Sequence, residues 1–456
     1  LNQDLVVSGN GNGLQMSDDA ILNLNGNQLQ IGDGSNTSVV FNDNAVLKGS
    51  SSSTISFNST NASAGTLVFS QAEGEKDLAV FDMDGSGGIS ISDTLNIHEQ
   101  FILKNGSFTS NGNLTLKSSA TQTAIIPERT GGSIIGDIRV ERYYAGGKRS
   151  FRYVSSPVTT TNKIRANWQE GQNNTTTTSN SNSVPGFGTH ITGSTSGANG
   201  FDATETGNPS LFTWDNASQS WSAIPNTDNT DLEAGKSYAL MVRGDRATNL
   251  NSNDALGGET VLRTLGTPEI GSFSIASTDM PDAVGEFALI GNPYQAQVDV
   301  KAITTSGLNT NFMYIWDPNL GSAGGYTTVD LTKNPVETTP SSNATEMLQP
   351  SQAFFMETSA ATSSVTFDEN DKIADLTHPQ AFSNNTNQSD IYITLLDEDS
   401  QTSLDGTRIV FEDNYSENVD FEDAKKLWNN TEYIAIKKQD YWLAVEKKPF
   451  SVNDTI

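Results

Sequence analysis

Between Leu5 and Leu116 the chain is a succession of very short alternating apolar–polar runs, each closed by Asn, Asp, Gly or Ser. Ile21-Leu22-Asn23-Leu24, Leu29-Gln30-Ile31, Val39-Val40-Phe41, Ile55-Ser56-Phe57, Leu67-Val68-Phe69, Ile89-Ser90-Ile91, Leu95-Asn96-Ile97 and Leu114-Thr115-Leu116 are the clearest. Alternation with a period of two marks β-strands whose one face is buried. Strands this short, numerous and evenly spaced pair poorly as hairpins, but they suit the rungs of a β-solenoid. There each coil stacks on its neighbour and hides its inward side chains. Asn at the corners fits, because it tolerates left-handed backbone and can ladder with the coil above. A meander sandwich is the competing arrangement.

The 456 residues predict two to four domains. Apolar residues make up 35% of the chain, enough for cores to form when gathered in short runs. Asp and Glu number 54 against 26 Lys and Arg, a net charge of −28. That balance disfavours nucleic acid and anionic membrane surfaces as partners and leaves cations, neutral glycans and basic proteins. With no cysteine there is no disulfide, thiolate metal site or cysteine nucleophile. No apolar stretch reaches the roughly 18 residues of a membrane-spanning helix. The opening Leu1-Asn2-Gln3-Asp4 has neither a Met start nor a basic, apolar leader, and reads as the beginning of a mature or excised segment.

The pattern changes near Thr121. Ile134 to Tyr143 forms a longer alternating run with more basic and aromatic residues, and aromatic-rich runs then alternate with polar stretches. Leu211-Phe212-Thr213-Trp214, Tyr238 to Arg243, Phe312 to Trp316 and Ala353 to Met356 predict antiparallel strands of a β-sandwich or jelly roll. Residues 170–210, rich in Thr, Ser and Asn, are expected as a mobile surface loop. A last block opens near Asp390, and Phe421 to Trp428 is the best short helix candidate. The expected fold is all-β: a parallel β-helix-like solenoid over residues 1–120, a sandwich domain over 121–385, and a further sandwich segment over 386–456.

Several phrases occur in order in the middle and late segments. They are Ile138-Arg139-Val140-Glu141-Arg142-Tyr143-Tyr144, Lys148-Arg149-Ser150-Phe151-Arg152-Tyr153-Val154-Ser155-Ser156-Pro157-Val158, Trp168-Gln169-Glu170-Gly171 and Pro185-Gly186-Phe187-Gly188-Thr189-His190. Gly235-Lys236-Ser237-Tyr238, Val242-Arg243-Gly244-Asp245-Arg246, Leu289-Ile290-Gly291-Asn292-Pro293-Tyr294, Tyr314-Ile315-Trp316-Asp317-Pro318 and Gln352-Ala353-Phe354-Phe355 follow. Over about residues 120–456 the chain resembles the C-terminal regions of Bacteroidetes surface proteins exported by the type IX secretion system, including gliding-adhesin-like proteins. The resemblance implies export by that machinery, a secreted or cell-surface location and a link to gliding motility. It assigns no catalytic residue.

The sharpest local motif is Asp82-Met83-Asp84-Gly85-Ser86-Gly87-Gly88-Ile89-Ser90-Ile91-Ser92-Asp93. It keeps the register of a calcium loop, in which Asp82, Asp84, Ser86, the Gly88 carbonyl, Ser90 and Asp93 supply the oxygens that hard Ca²⁺ requires. Position 12 is Asp rather than Glu and the flanks are β-like, so the competing reading is a Gly/Asp turn between two strands. Arg142, Lys148, Arg149 and Arg152 beside Tyr143, Tyr144, Phe151 and Tyr153 form a basic–aromatic cluster. Such a cluster stacks on a sugar or nucleotide, or pairs internally with carboxylates and rings. Trp168, Trp214, Trp221 and Trp316 are either sugar platforms or core. His98, His190 and His378 have no metal-like spacing. Asp93-Thr94-Leu95 and Asp454-Thr455-Ile456 match a short O-glycosylation pattern. No nucleophile elbow, phosphate loop or zinc-protease motif is present. The expectation is a non-catalytic adhesin-like or scaffold protein that meets a glycan or surface ligand. The alternatives are a carbohydrate-binding module of a larger secreted enzyme, or a polysaccharide lyase or glycosidase.

Overall fold

A computed structural model describes residues 1–450 except 148, 179, 253–255, 322 and 378–389. Lys148, His378, the expected boundary at 385/386 and Asp454-Thr455-Ile456 lie outside the described residues. Strands account for 44% of the chain and helices for 3%, so the protein is all-β.

One sheet collects Leu5–Val7, Gln28–Ile31, Thr54–Phe57, Asp77–Met83, Leu95–Leu103, Leu114–Leu116 and Ile138–Tyr144, each parallel to the next. A second parallel set runs through Thr66–Leu67, Gly88–Ile91, Ser107–Thr109 and Ser133–Ile135. Parallel neighbours need a crossover, and here the crossovers between Thr54–Phe57 and Ile138–Tyr144 carry the strands of the second set. The register aligns the inward residues in columns: Leu29, Ile55, Phe81 and Phe101 in one, Ile31, Phe57, Met83 and Leu103 in the next. All eight are fully buried. A lone strand has no partner for these side chains, and pairing in register withdraws each from water at roughly 1.5–3 kcal/mol apiece. Phe108, from the second set, sets its ring edge-on against Phe81 and Phe101 at 5.1 and 4.8 Å, joining the two sets through one core.

The hydrogen-bonded sheet does not stop at Tyr144. Ile138–Tyr144 is parallel to Leu114–Leu116 on one edge and antiparallel to Thr260–Pro268 on the other. The sheet then continues through Val158–Lys163 to Asp231–Leu232. Two antiparallel sheets follow in the chain. One orders Ser150–Ser155, Ser237–Val242, Leu211–Asp215 and Ser220–Ala223; the other orders Phe287–Gly291, Ala353–Glu357, Phe312–Asp317, Gly325–Asp330 and Glu337–Thr339. A last sheet holds Asp390–Leu396, Ser403–Phe411, Tyr441–Lys448, Ala424–Lys425 and Ile436–Lys438. Tyr153 and Ala239 of the first, Phe312, Tyr314, Trp316 and Phe355 of the second, and Val410, Ala424 and Val445 of the third share one aromatic-rich core. Three ion pairs tie the last sheet to the five-stranded one: Lys447 with Asp330, Arg408 with Glu337, and Lys425 with Glu357.

Two expectations are corrected. Phe421 to Trp428 is not a helix: Ala424–Lys425 is drawn into a strand by antiparallel pairing with Tyr441–Lys448. The only α-helix among the described residues is Ile164–Trp168. Residues 170–210 are not a surface loop throughout. His190 and Asp202 are completely buried, and the Asp202 carboxylate accepts hydrogen bonds from Asn174 N (2.7 Å), Ile191 N (3.0 Å) and both terminal nitrogens of Arg246 (2.7 and 3.0 Å).

Candidate functional site

Strand periodicity gathers most of the tryptophans in one place. Phe212 and Trp214 share a face of Leu211–Asp215, and the hairpin register sets Trp221 directly opposite Trp214. Phe151 and Tyr153 share a face of Ser150–Ser155, while Trp316 and Tyr326 are cross-strand partners in the five-stranded sheet. These rings border a cavity of about 650 Å³, closed on a further side by Leu427 and Trp428. Ring centroids lie 5.2 Å apart for Trp214–Trp221, 5.1 Å for Tyr153–Trp221 and 5.1 Å for Trp316–Tyr326, mostly edge-to-face. Such contacts hold aromatic walls rigid.

The polar groups around the cavity are few and already oriented. Trp214 Nε1 donates to the Phe287 carbonyl (2.8 Å), and Gln219 Oε1 accepts from Phe287 N (2.7 Å). The Tyr153 and Tyr326 hydroxyls share a hydrogen bond of 2.5 Å. Burial raises the Tyr153 hydroxyl well above its ordinary range and, against the hydrogen bond from Tyr153, pushes Tyr326 up to about 12. Both stay neutral at physiological pH. Lys426 borders the cavity but is engaged with Asp405 at 2.5 Å. Trp428 is 43% exposed, alongside Tyr433 and Trp442. An open, rigid, aromatic-walled recess of this kind accepts the apolar face of a sugar ring or a comparable flat ligand.

The structure divides the four tryptophans singled out above. Trp168 is core: it is 3% exposed and donates Nε1 to Thr264 Oγ1 at 3.2 Å. Trp214, Trp221 and Trp316 border the recess, with Trp316 also packed into the core. Trp428, absent from the expectation, joins them. The period-two pairs Phe212/Trp214 and Phe151/Tyr153 were the available signal.

The Asp82–Asp93 segment spans the end of Asp77–Met83, a corner, and Gly88–Ile91. Four of its six candidate ligands are turned to different neighbours. Asp82 Oδ2 accepts from Lys104 Nζ at 2.7 Å, one coil on, and Ser90 Oγ bonds Thr66 Oγ1 at 2.7 Å, one coil back. The Gly88 carbonyl accepts from Ala64 N (2.8 Å), and Asp93 Oδ2 from Ser92 Oγ (2.6 Å). Asp84 and Ser86 are exposed at the corner. Asp82 Oδ1 is the one buried oxygen of the set without a hydrogen-bond partner. No group of three or more His, Asp or Glu side chains converges on a metal position among the described residues. The glycines have a packing reason of their own. A Cβ on Gly85 would sit 2.3 Å from Ser59 N, and one on Gly87 would sit 2.2 Å from Asn61 O. The corner needs glycine for the coils to touch.

Part of the basic–aromatic cluster stays together: Arg142, Tyr144, Arg152 and Tyr153 line one pocket of about 240 Å³. Arg142 Nη1 reaches Thr123 Oγ1 at 3.4 Å, and Arg152 Nη1 donates to the Phe151 carbonyl at 3.1 Å. Neither forms an ion pair among the described residues; Arg142 is hydrogen-bonded to Tyr144, and Asp317 stands in the same pocket as Arg152. Tyr143 donates to Glu259 at 2.8 Å. His98 and His190 have different carboxylate neighbours: His98 lies 3.5 Å from Asp77, and His190 Nδ1 lies 3.2 Å from Asp202. No family model, curated protein or solved structure matches the chain.

Proposed function

We propose that this is a secreted, surface-displayed, non-catalytic binding protein of the adhesin type, exported by the type IX machinery, and that the tryptophan-walled recess is where it meets its ligand. The observation that carries the reading is the recess itself: about 650 Å³, bordered by Trp214, Trp221, Trp316 and Trp428 and open to solvent. On this reading residues 1–120 are a β-solenoid stalk and the antiparallel sheets are sandwich domains forming the head. The parallel register of the early strands and the shared core of the later sheets support that division. The sheet that continues from stalk to Thr260–Pro268 then makes a stiff support for the recess. Export rests on the ordered phrases of residues 138–355. The ligand class that suits aromatic walls in a chain of net charge −28 is a neutral glycan. The carbohydrate-binding-module reading draws on the same recess and differs only in what is attached to it.

The test is a glycan array probed with the full chain and with Trp221→Ala. Binding of neutral glycans that weakens about tenfold, 1.4 kcal/mol, in the variant is the expected result. Silence on the array overturns the glycan assignment, and release of new sugar ends from a bound polysaccharide replaces the binding reading with an enzymatic one.

A further inference from the structure

Guanidiniums from two different sheets border one pocket. Arg142 belongs to Ile138–Tyr144, the last of the parallel strands, and Arg152 to Ser150–Ser155 of the four-stranded antiparallel sheet. Asp317, which ends Phe312–Asp317 of the five-stranded sheet, borders the same pocket of about 240 Å³. Asn343 stands exposed at its edge, so the pocket opens to solvent there.

The two cations are bonded only to neutral groups. Arg142 bonds Tyr144 and reaches Thr123 Oγ1 at 3.4 Å, and Arg152 Nη1 donates to the Phe151 carbonyl at 3.1 Å. A guanidinium carries five N–H donors in a fixed fork, so much of their capacity is unspent. Burial is the largest influence on both and lowers their pKa values, the response of a cation drawn out of water without a close counter-charge. Asp317 is the one carboxylate among the described residues that borders the pocket, and it is engaged elsewhere. Its Oδ1 accepts from Asn319 N at 2.8 Å and its Oδ2 from Ser342 Oγ at 2.5 Å. Two guanidiniums against one carboxylate leave a single positive charge.

Gln349 supplies an independent sign. It borders the same pocket and is 7% exposed, and its Nε2 is buried without a hydrogen-bond partner. Folded chains seldom bury an amide donor in this way. An oxygen-bearing anion in the pocket would serve all three donors at once. We infer that this pocket binds one singly charged oxyanion, a carboxylate or a sulfate ester, held between Arg142 and Arg152 and accepting from Gln349. The planar fork of arginine matches the paired oxygens of such a group. A monoanion balances the charge of the site, and the net charge of −28 disfavours long polyanions. Tyr153 and Trp316 border both this pocket and the tryptophan recess, but neither arginine borders the recess. The oxyanion site therefore stands whether or not the recess takes a neutral glycan.

The test uses the full chain at low ionic strength, titrated calorimetrically with sodium glucuronate and sodium methyl sulfate, with sodium chloride and glucose as controls. One-to-one saturable binding of at least one oxyanion is expected, weakened fivefold or more by Arg142→Gln and by Arg152→Gln. Preference for glucuronate identifies a carboxylate, and preference for methyl sulfate identifies a sulfate ester. If Arg142→Gln does not fold, Arg152→Gln decides alone, since Arg152 is partly exposed. Absence of saturable binding by both oxyanions, or binding weakened less than fivefold in the folded variants, overturns the inference.

Discussion

Lys447 places its Nζ 3.0 Å from Asp330 Oδ2, and both side chains are withdrawn from solvent. Lys447 is the penultimate residue of Tyr441–Lys448 and Asp330 ends Gly325–Asp330, so the pair joins the last sheet to the five-stranded one. Removing one member of a buried ion pair leaves the other uncompensated, at a cost of about 3–5 kcal/mol. Lys447→Met is expected to lose that much stability in denaturant unfolding. Lys447→Met combined with Asp330→Leu is expected to regain most of it, because no charge is then stranded. Equal damage in single and double variants would show that packing against Phe312, rather than charge, is what Lys447 supplies.

The glycine corner makes a second contrast. Gly85→Ala and Gly87→Ala push a methyl into the backbone of the coil beneath, and overpacking of this kind costs about 1–3 kcal/mol. Asp84→Ala, exposed at the same corner, should stay within ~0.5 kcal/mol. Millimolar Ca²⁺ should leave the unfolding midpoint of the wild type in place. A midpoint that rises with Ca²⁺, and no longer does so in Asp82→Ala, would mean that the cation gathers the oxygens that the coils hold apart.

Acid should weaken the fold through Asp202. Burial raises this carboxyl, but hydrogen bonds and charge from His190 and Arg246 outweigh it and hold the pKa at about 2. A carboxyl lowered in the folded state adds stability above its unfolded value near 3.8, and that stability is lost as pH falls towards 2. The amount is on the order of 2 kcal/mol. Acid unfolding should therefore steepen between about pH 4 and 2, and Asp202→Asn should remove the slope in that window.

Alkali should act through the tyrosines, with the opposite sign. A phenol raised by burial keeps its proton in the folded state, so the unfolded chain ionises first and stability falls as pH climbs above 10. For Tyr326, pushed to about 12, the loss is on the order of 2–3 kcal/mol. Spectrophotometric titration should show late phenolate formation coinciding with loss of structure. Early, reversible ionisation of all the tyrosines would contradict the sealed Tyr153–Tyr326 pair.

The all-β character was legible because alternation is local: Leu29 and Ile31 declare a buried face within four residues. Partners far along the chain were not legible. Nothing near Ile138–Tyr144 announces that its second edge belongs to Thr260–Pro268. Residues 170–210 read as a loop from their polar composition, yet Asp202 is held by Arg246, 44 residues away. At Phe421 to Trp428 a helical spacing lost to a strand edge supplied by Tyr441–Lys448. The recess was half legible, since pairs such as Phe212 and Trp214 show on which face rings lie but not which sheet confronts them.

In the parallel stack, the hydrogen bonds from Leu5–Val7 to Gln28–Ile31, and onward strand by strand, all point along the direction in which the coils pile up. Tension along that direction loads them in series, one rung at a time, rather than all at once in shear. Each coil that peels off releases a length of chain worth roughly 80 Å when extended, at about 3.3 Å per residue. Under load the parallel strands are expected to part in steps while the antiparallel sheets stay closed.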